Sequence, residues 1–136
     1  MRAVIDTGIF VSALIRPQGR TGDVLQALKD KRFTLIYSTD ILVEIIDVLG
    51  RDKFRNKYQI TPDDIAALID LIRLRGELVM PSQKVSACRD PKDDIFLEAA
   101  LEGKAEYIVS GDFDLLDMKS FENISMLRVA EFLARL

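Results

Sequence analysis

The sequence predicts an α/β fold in which a parallel sheet is covered by helices on both faces. Two observations carry this. Short β-branched runs, too short for helices, alternate with longer segments whose apolar residues recur at helical spacing. That alternation is the signature of strands joined by helical crossovers. The chain has 136 residues and no internal repeat, linker or low-complexity stretch, so residues 1–136 are expected to form one domain with its own core.

Arg2-Ala-Val-Ile-Asp6 reads as a buried strand ending in an acid, and Ile9 to Ile15 as a helical turn or two. A turn-forming break, Arg16-Pro-Gln-Gly-Arg20, precedes a helix over Thr21 to Lys31, marked by Val24, Leu25 and Leu28. Phe33-Thr-Leu-Ile-Tyr37 is the second strand, and Ser38-Thr-Asp40 caps the helix that runs to Leu49. Arg51 to Tyr58 reads as a charged, aromatic connector. Thr61-Pro-Asp-Asp64 supplies a cap, a proline and two dipole-facing acids for a helix that Gly76 is expected to end. Glu77 to Met80 is a short third strand, and Pro81 to Arg89 is irregular. Asp90-Pro-Lys-Asp-Asp94 opens a helix ending near Gly103, and Tyr107 to Ser110 is a strand. Phe113 to Leu116 is a turn of helix, Ile124 to Leu127 an edge strand, and Val129 to Leu136 a terminal helix.

Composition removes whole classes of chemistry. With no histidine, imidazole serves neither as a base nor as a metal ligand, which excludes Ser-His-Asp and Cys-His catalysis and ordinary zinc sites. Any metal must be held by carboxylates, which select hard cations such as Mg2+ or Mn2+. One cysteine, Cys88, forms no internal disulfide and reads as a passive small residue. With no membrane-length apolar run and no signal-peptide layout, a cytoplasmic location is expected. The net charge of -3 argues against a broad polyanion-binding surface and leaves room for a local basic patch.

The acids are the candidate site residues, and each also has a plain structural reading. Asp6 and Asp112 both follow apolar strands, where ligands collect in open α/β sheets; either could instead cap the next helix. Glu44 shares a helical stripe with Asp40, Asp47 and Arg51, which is either a solvated face or one wall of a cleft. Asp90 can be an N-cap and Asp93 a capping-box acid, while Asp94 gains from the helix dipole. Three acids at one helix mouth nevertheless exceed what capping requires. Clustered carboxylates raise one another's pKa, a penalty that a divalent cation removes, and such a cation suits hydrolysis of a phosphodiester.

Four stretches taken together resemble the PIN-domain ribonucleases, specifically the VapC-like toxins of toxin-antitoxin systems. They are Ala3-Val-Ile-Asp-Thr-Gly-Ile-Phe-Val-Ser-Ala-Leu14, the helical Glu44, Arg89-Asp-Pro-Lys-Asp-Asp-Ile-Phe-Leu-Glu-Ala-Ala100, and Tyr107-Ile-Val-Ser-Gly-Asp-Phe-Asp-Leu-Leu116. The resemblance implies a three-layer α/β/α sandwich and a Mg2+- or Mn2+-dependent endoribonuclease. Asp6, Glu44, Asp93 and Asp112 would be its catalytic and metal-binding quartet. Thr7, Ser110, Asp114 and Asp94 would be auxiliary, with Asp93 rather than Asp94 as the third acid. It also implies an RNA substrate, an antitoxin partner and a homodimer. Arg16, Arg20, Arg51 and Lys53 are candidates for RNA contact, or else a solvated charged connector. Phe54 and Tyr58 could stack on bases or pack in a core or dimer. Where the family usually carries Asn or Ser two residues after the first Asp, this sequence has Gly8; that departure is the support for the alternative, a non-catalytic PIN-like module binding RNA or protein.

Overall fold

The computed structural model describes residues 1–136 and contains six strands and eight helices. In chain order these are β1 (Arg2–Ile5), α1 (Thr7–Ile15), α2 (Arg20–Lys29), β2 (Thr34–Tyr37), α3 (Thr39–Leu49), α4 (Asp52–Lys57) and α5 (Pro62–Arg75). There follow β3 (Gly76–Leu78), α6 (Asp94–Glu102), β4 (Tyr107–Val109), α7 (Phe113–Leu116), β5 (Ser120–Phe121), β6 (Ile124–Leu127) and α8 (Val129–Ala134). The sheet order is β3-β2-β1-β4-β6-β5, parallel throughout except for β5, which runs antiparallel to β6. This is the α/β arrangement expected, a mostly parallel sheet flanked by helices.

Strands β1, β2, β4 and β6 are short and almost wholly buried, as a sheet covered on both faces requires. Phe10, Leu28, Ile36, Ile45, Phe96 and Phe132 fill the layers between sheet and helices. Phe33 meets Phe132 edge to face at 5.0 Å, which ties the start of β2 to α8. No helix is long and apolar enough to cross a membrane.

Three local expectations need correction, and one, at Gly76, holds in an unexpected conformation. The Arg51 to Tyr58 connector contains α4, because Phe54 is buried in the core and the packing holds one and a half turns of helix around it. Gly76 ends α5 as expected, in an extended conformation (φ -91, ψ 167) that opens β3, and a Cβ there would lie 2.6 Å from the Ile72 carbonyl oxygen and 2.7 Å from the Tyr37 ring. Strand β6 is not an edge; the two-residue β5, which has no hydrophobic pattern to announce it, covers it. Finally, Pro91–Asp93 form a 3-10 turn before α6; Asp90 caps it as expected, accepting the Lys92 amide at 3.0 Å, but the Asp93 side chain makes no capping bond. The capping box at Thr61 and Asp64 forms as its residues suggest.

Candidate metal centre

The strand order places the site. Strand β1 pairs with β2 on one side and with β4 on the other, and its crossovers leave in opposite directions, so a crevice opens beyond the carboxyl ends of β1 and β4. Asp6 and Asp112 stand at those two ends. The Asp6 amide continues the ladder to the Val109 carbonyl at 2.9 Å. Ser110, fully buried, donates its hydroxyl to Asp6 Oδ2 at 2.6 Å and accepts the Asp112 amide at 2.9 Å. One hydroxyl thus fixes the first acid and the turn that carries the last. Asp6 holds the N-cap position of α1 without a side-chain capping hydrogen bond of normal geometry, the Gly8 amide lying only nearby. Asp112 does cap, accepting the Asp114 amide at 2.9 Å with Oδ1.

The other two acids of the quartet come from α3 and from the turn before α6. Of its helical stripe, Glu44 alone is half-buried, and it accepts a short hydrogen bond from the Thr7 hydroxyl; Asp40, Asp47 and Arg51 are exposed. Asp93 is 8% exposed, and its Oδ2 is the single buried side-chain oxygen with no hydrogen-bond partner. All four acids line one cavity of about 500 Å3, together with Thr7, Gly8, Ser12 and Thr21 and an apolar set of Ile9, Val11, Val48, Phe54 and Val129. Oxygens of Asp93, Asp112 and Asp114 lie within 4.8 Å of one another; Asp6 and Glu44 are not part of that trio but line the same cavity as Asp93 and Asp112.

The electrostatics are those of a crowded anionic site. Burial first, then the charges of Asp6, Asp112, Asp90 and Glu44, push the Asp93 carboxyl up to about 7. Asp6 is also raised, by burial and by Asp112 and Glu44, while the Ser110 hydroxyl and the nearby Gly8 amide act against the rise. A buried carboxylate oxygen without a donor, facing other acids, is short of positive charge. A hard divalent cation supplies it, and an all-oxygen donor set fits Mg2+ or Mn2+.

Asp94 turns away from this cavity. Its Oδ1 accepts the Ala87 and Cys88 amides at 3.1 and 2.9 Å, which pins the loop before the site. Burial acts upward on its pKa, but those amides and the Cys88 thiol prevail and hold it low. Burial and the adjacent acids push the Cys88 thiol up to about 12, in keeping with a passive residue. Arg16, Arg20, Arg51 and Lys53 are all exposed and take part in no ion pair. Arg20 adjoins Thr21 and Lys53 adjoins Phe54, both cavity residues, and Lys53 Nζ lies 5.0 Å from the Phe54 ring.

Two groups escaped the sequence reading. Arg89 pairs with Asp114 at 3.3 Å and Asp117 at 2.6 Å, bracing α7 beside the acids; only its place in the Arg-Asp-Pro-Lys-Asp-Asp run hinted at this. The apolar wall was also missed, although Val48 lies one helical turn beyond Glu44 and so had to share its face.

Comparison with known proteins adds to this geometry. The profile of a family described as PIN domain matches residues 2–114. An uncharacterized protein of Methanocaldococcus jannaschii is 32% identical over 119 residues, covering 88% of this chain and 76% of that protein. Among solved structures, VapBC2 from Rickettsia felis, bound to a DNA fragment from its promoter, superposes with a TM-score of 0.61 at 16% identity, covering 94% of this chain and 98% of that one. The PIN domain of T. brucei RRP44 gives a TM-score of 0.50 at 16% identity, over 98% of this chain and 79% of that one. At that identity the two structures establish a shared fold.

Proposed function

The chain belongs to the PIN-domain family, a family of metal-dependent nucleases, and from that premise we propose that it is a Mg2+- or Mn2+-dependent endoribonuclease, the toxin of a toxin-antitoxin pair. The observation that carries the reading is Asp93 Oδ2, a buried oxygen without a partner in a cavity it shares with Asp6, Glu44 and Asp112. Capping requires no such atom, and a metal site does.

In this reading Asp6, Glu44, Asp93 and Asp112 hold the cation, with Asp114 beside them. The bound cation supplies Lewis acidity to the phosphoryl group and makes a water acidic enough to attack at neutral pH. The protein's own contribution is positional. Ser110 fixes Asp6, and Thr7 fixes Glu44 across the cavity. Arg89 holds Asp114 and Asp117, so that α7 presents Asp112 on a braced turn. Arg16, Arg20, Arg51 and Lys53 offer phosphate contacts that would weaken as salt rises. The toxin role and an antitoxin partner rest on the four sequence stretches and on the likeness to the VapBC2 structure, and a homodimer on the four stretches alone.

The test is cleavage of structured and unstructured RNA with Mn2+ or Mg2+, beside EDTA and an Asp112→Asn control. Metal-dependent cleavage lost in the variant is expected. Gly8 supports the second reading, a non-catalytic module, and RNA binding without cleavage under every metal would favour it.

A further inference from the structure

Residues 80–89 lead from β3, at one edge of the sheet, to the turn before α6 without a single backbone-to-backbone hydrogen bond. The amides of such a strap need partners, and here they find them on one helix. Ser82 donates its amide and its hydroxyl to Glu102 Oε1 at 2.9 and 2.8 Å, and Val85 donates its amide to Glu98 Oε2 at 2.8 Å. Ala87 and Cys88 donate theirs to Asp94 Oδ1. Asp94, Glu98 and Glu102 are four residues apart, so they form one stripe along α6 and take up the strap at successive turns.

Glu98 is the member that helix formation does not explain. It is 7% exposed, takes part in no ion pair, and accepts a hydrogen bond from the Val85 amide alone. A carboxylate so buried is costlier than an apolar side chain of its size. Glu102, in the last turn of α6, likewise opposes the helix dipole. Both hold the strap, and the strap ends at the acids. Arg89 pairs with Asp114 and Asp117 and so braces the turn that carries Asp112, while Asp90 caps the 3-10 turn that carries Asp93.

Resting on the metal-dependent reading of that centre, we propose that Glu98 is a positioning residue for it. By fixing the strap at Val85, Glu98 sets where Arg89 starts, and through Arg89 the placement of Asp112 and Asp114 against Asp93. Oxygens of those three acids lie within 4.8 Å of one another, a separation at which carboxylates repel, so α7 has to be held against them. The Arg89 side chain is 63% exposed, and its backbone anchor therefore decides which way it reaches. Asp94 supplies the nearer anchor but adjoins Asp93 in the site's own turn. Glu98 lies one helical turn further on and acts only through the strap.

Mn2+ titration calorimetry and trypsin cleavage of the full chain test this together. Lys84 is exposed and immediately precedes Val85, so the cut after it reports the strap; Lys31, in the turn at the opposite end of the sheet, is the control. In the wild type Mn2+ should slow the cut after Lys84 several-fold more than the cut after Lys31, because a strap that favours the metal is favoured by it. Glu98→Ala should be cut after Lys84 about tenfold faster and bind Mn2+ about tenfold more weakly. Glu98→Gln, which keeps a carbonyl oxygen for the Val85 amide, should restore most of both. Added to Arg89→Ala, Glu98→Ala should cost little further Mn2+ affinity, since the two act in series. A folded Glu98→Ala with a loosened strap and unchanged Mn2+ affinity has lost only a structural contact and overturns the proposal, as do additive losses in the double variant. If the alanine variant fails to fold, the wild type decides: equal slowing at Lys84 and Lys31 is global stabilisation and overturns it. The two readings separate. A wild type that binds no Mn2+ sinks both, Mn2+ binding coupled to the strap without RNA cleavage sinks the nuclease alone, and metal-dependent cleavage with a strap indifferent to Mn2+ sinks the positioning role alone.

Discussion

Asp93→Asn should stabilise the metal-free protein while disabling the site. The folded chain holds the Asp93 carboxyl near 7 against an ordinary value of 3.8, so folding takes up a proton between those limits. The sign follows from that uptake. Stability is retained below the unfolded value, falls as pH rises across the window, and carries the full penalty above about 7. A gap of roughly 3 pH units sets a ceiling of about 4 kcal/mol at 1.36 kcal/mol per unit. Solvent and counterions in the cavity screen much of it, leaving ~1–2 kcal/mol for the substitution to recover. For a chain of this length that is a rise of about 3–8 °C in melting temperature. Asn keeps the volume, and its amide can donate to the neighbouring carboxylates. The assay is thermal unfolding in EDTA at several pH values. The variant's advantage should be largest near pH 8 and shrink towards about pH 4, where Asp93 is protonated and uncharged in the folded wild type. In Mn2+ the order should reverse, since a ligand at a hundred times its Kd stabilises the wild type by about 2.7 kcal/mol. A variant that melts below the wild type near pH 8 in EDTA would refute the reasoning, as would an advantage independent of pH.

Mn2+ affinity measured by calorimetry should rise about tenfold per pH unit below about 7 and level off above it, because the proton on Asp93 competes with the cation. Ser110→Ala removes the donor to Asp6 and should weaken Mn2+ binding by about 10–100-fold in the same titration, with the circular dichroism spectrum unchanged. Two glycines on neighbouring helices should respond oppositely to alanine in a urea titration. Gly8→Ala has free space and should stabilise by ~0.5–1 kcal/mol, whereas at Gly22 a Cβ would fall 1.9 Å from the Pro17 carbonyl oxygen, so Gly22→Ala should destabilise. An unchanged or improved Gly22→Ala would show that the α1–α2 turn yields easily.

The sequence alone indicated the α/β class and the absence of imidazole donors, and its resemblance to a family singled out four acids that the fold brings to one cavity. Those features are written locally: strands as β-branched runs, crossovers as helical periodicity, and the excluded chemistry as the absence of histidine. Tertiary structure decided what depends on partners distant in the chain. Asp93 and Asp94 are adjacent acids, of which the family resemblance favours the first. A 3-10 turn directs the first into the cavity, while the Ala87 and Cys88 amides hold the second outside it. Asp52 to Lys57 became a helix because Phe54 found a core, which no local propensity announces. The cavity lining gathers apolar residues from α1, α3, α4 and α8 that look like ordinary core when each helix is read by itself. A side chain's chemistry is fixed by its type. Whether its atoms are paired, buried or left facing an opening is fixed by what the rest of the chain packs against it.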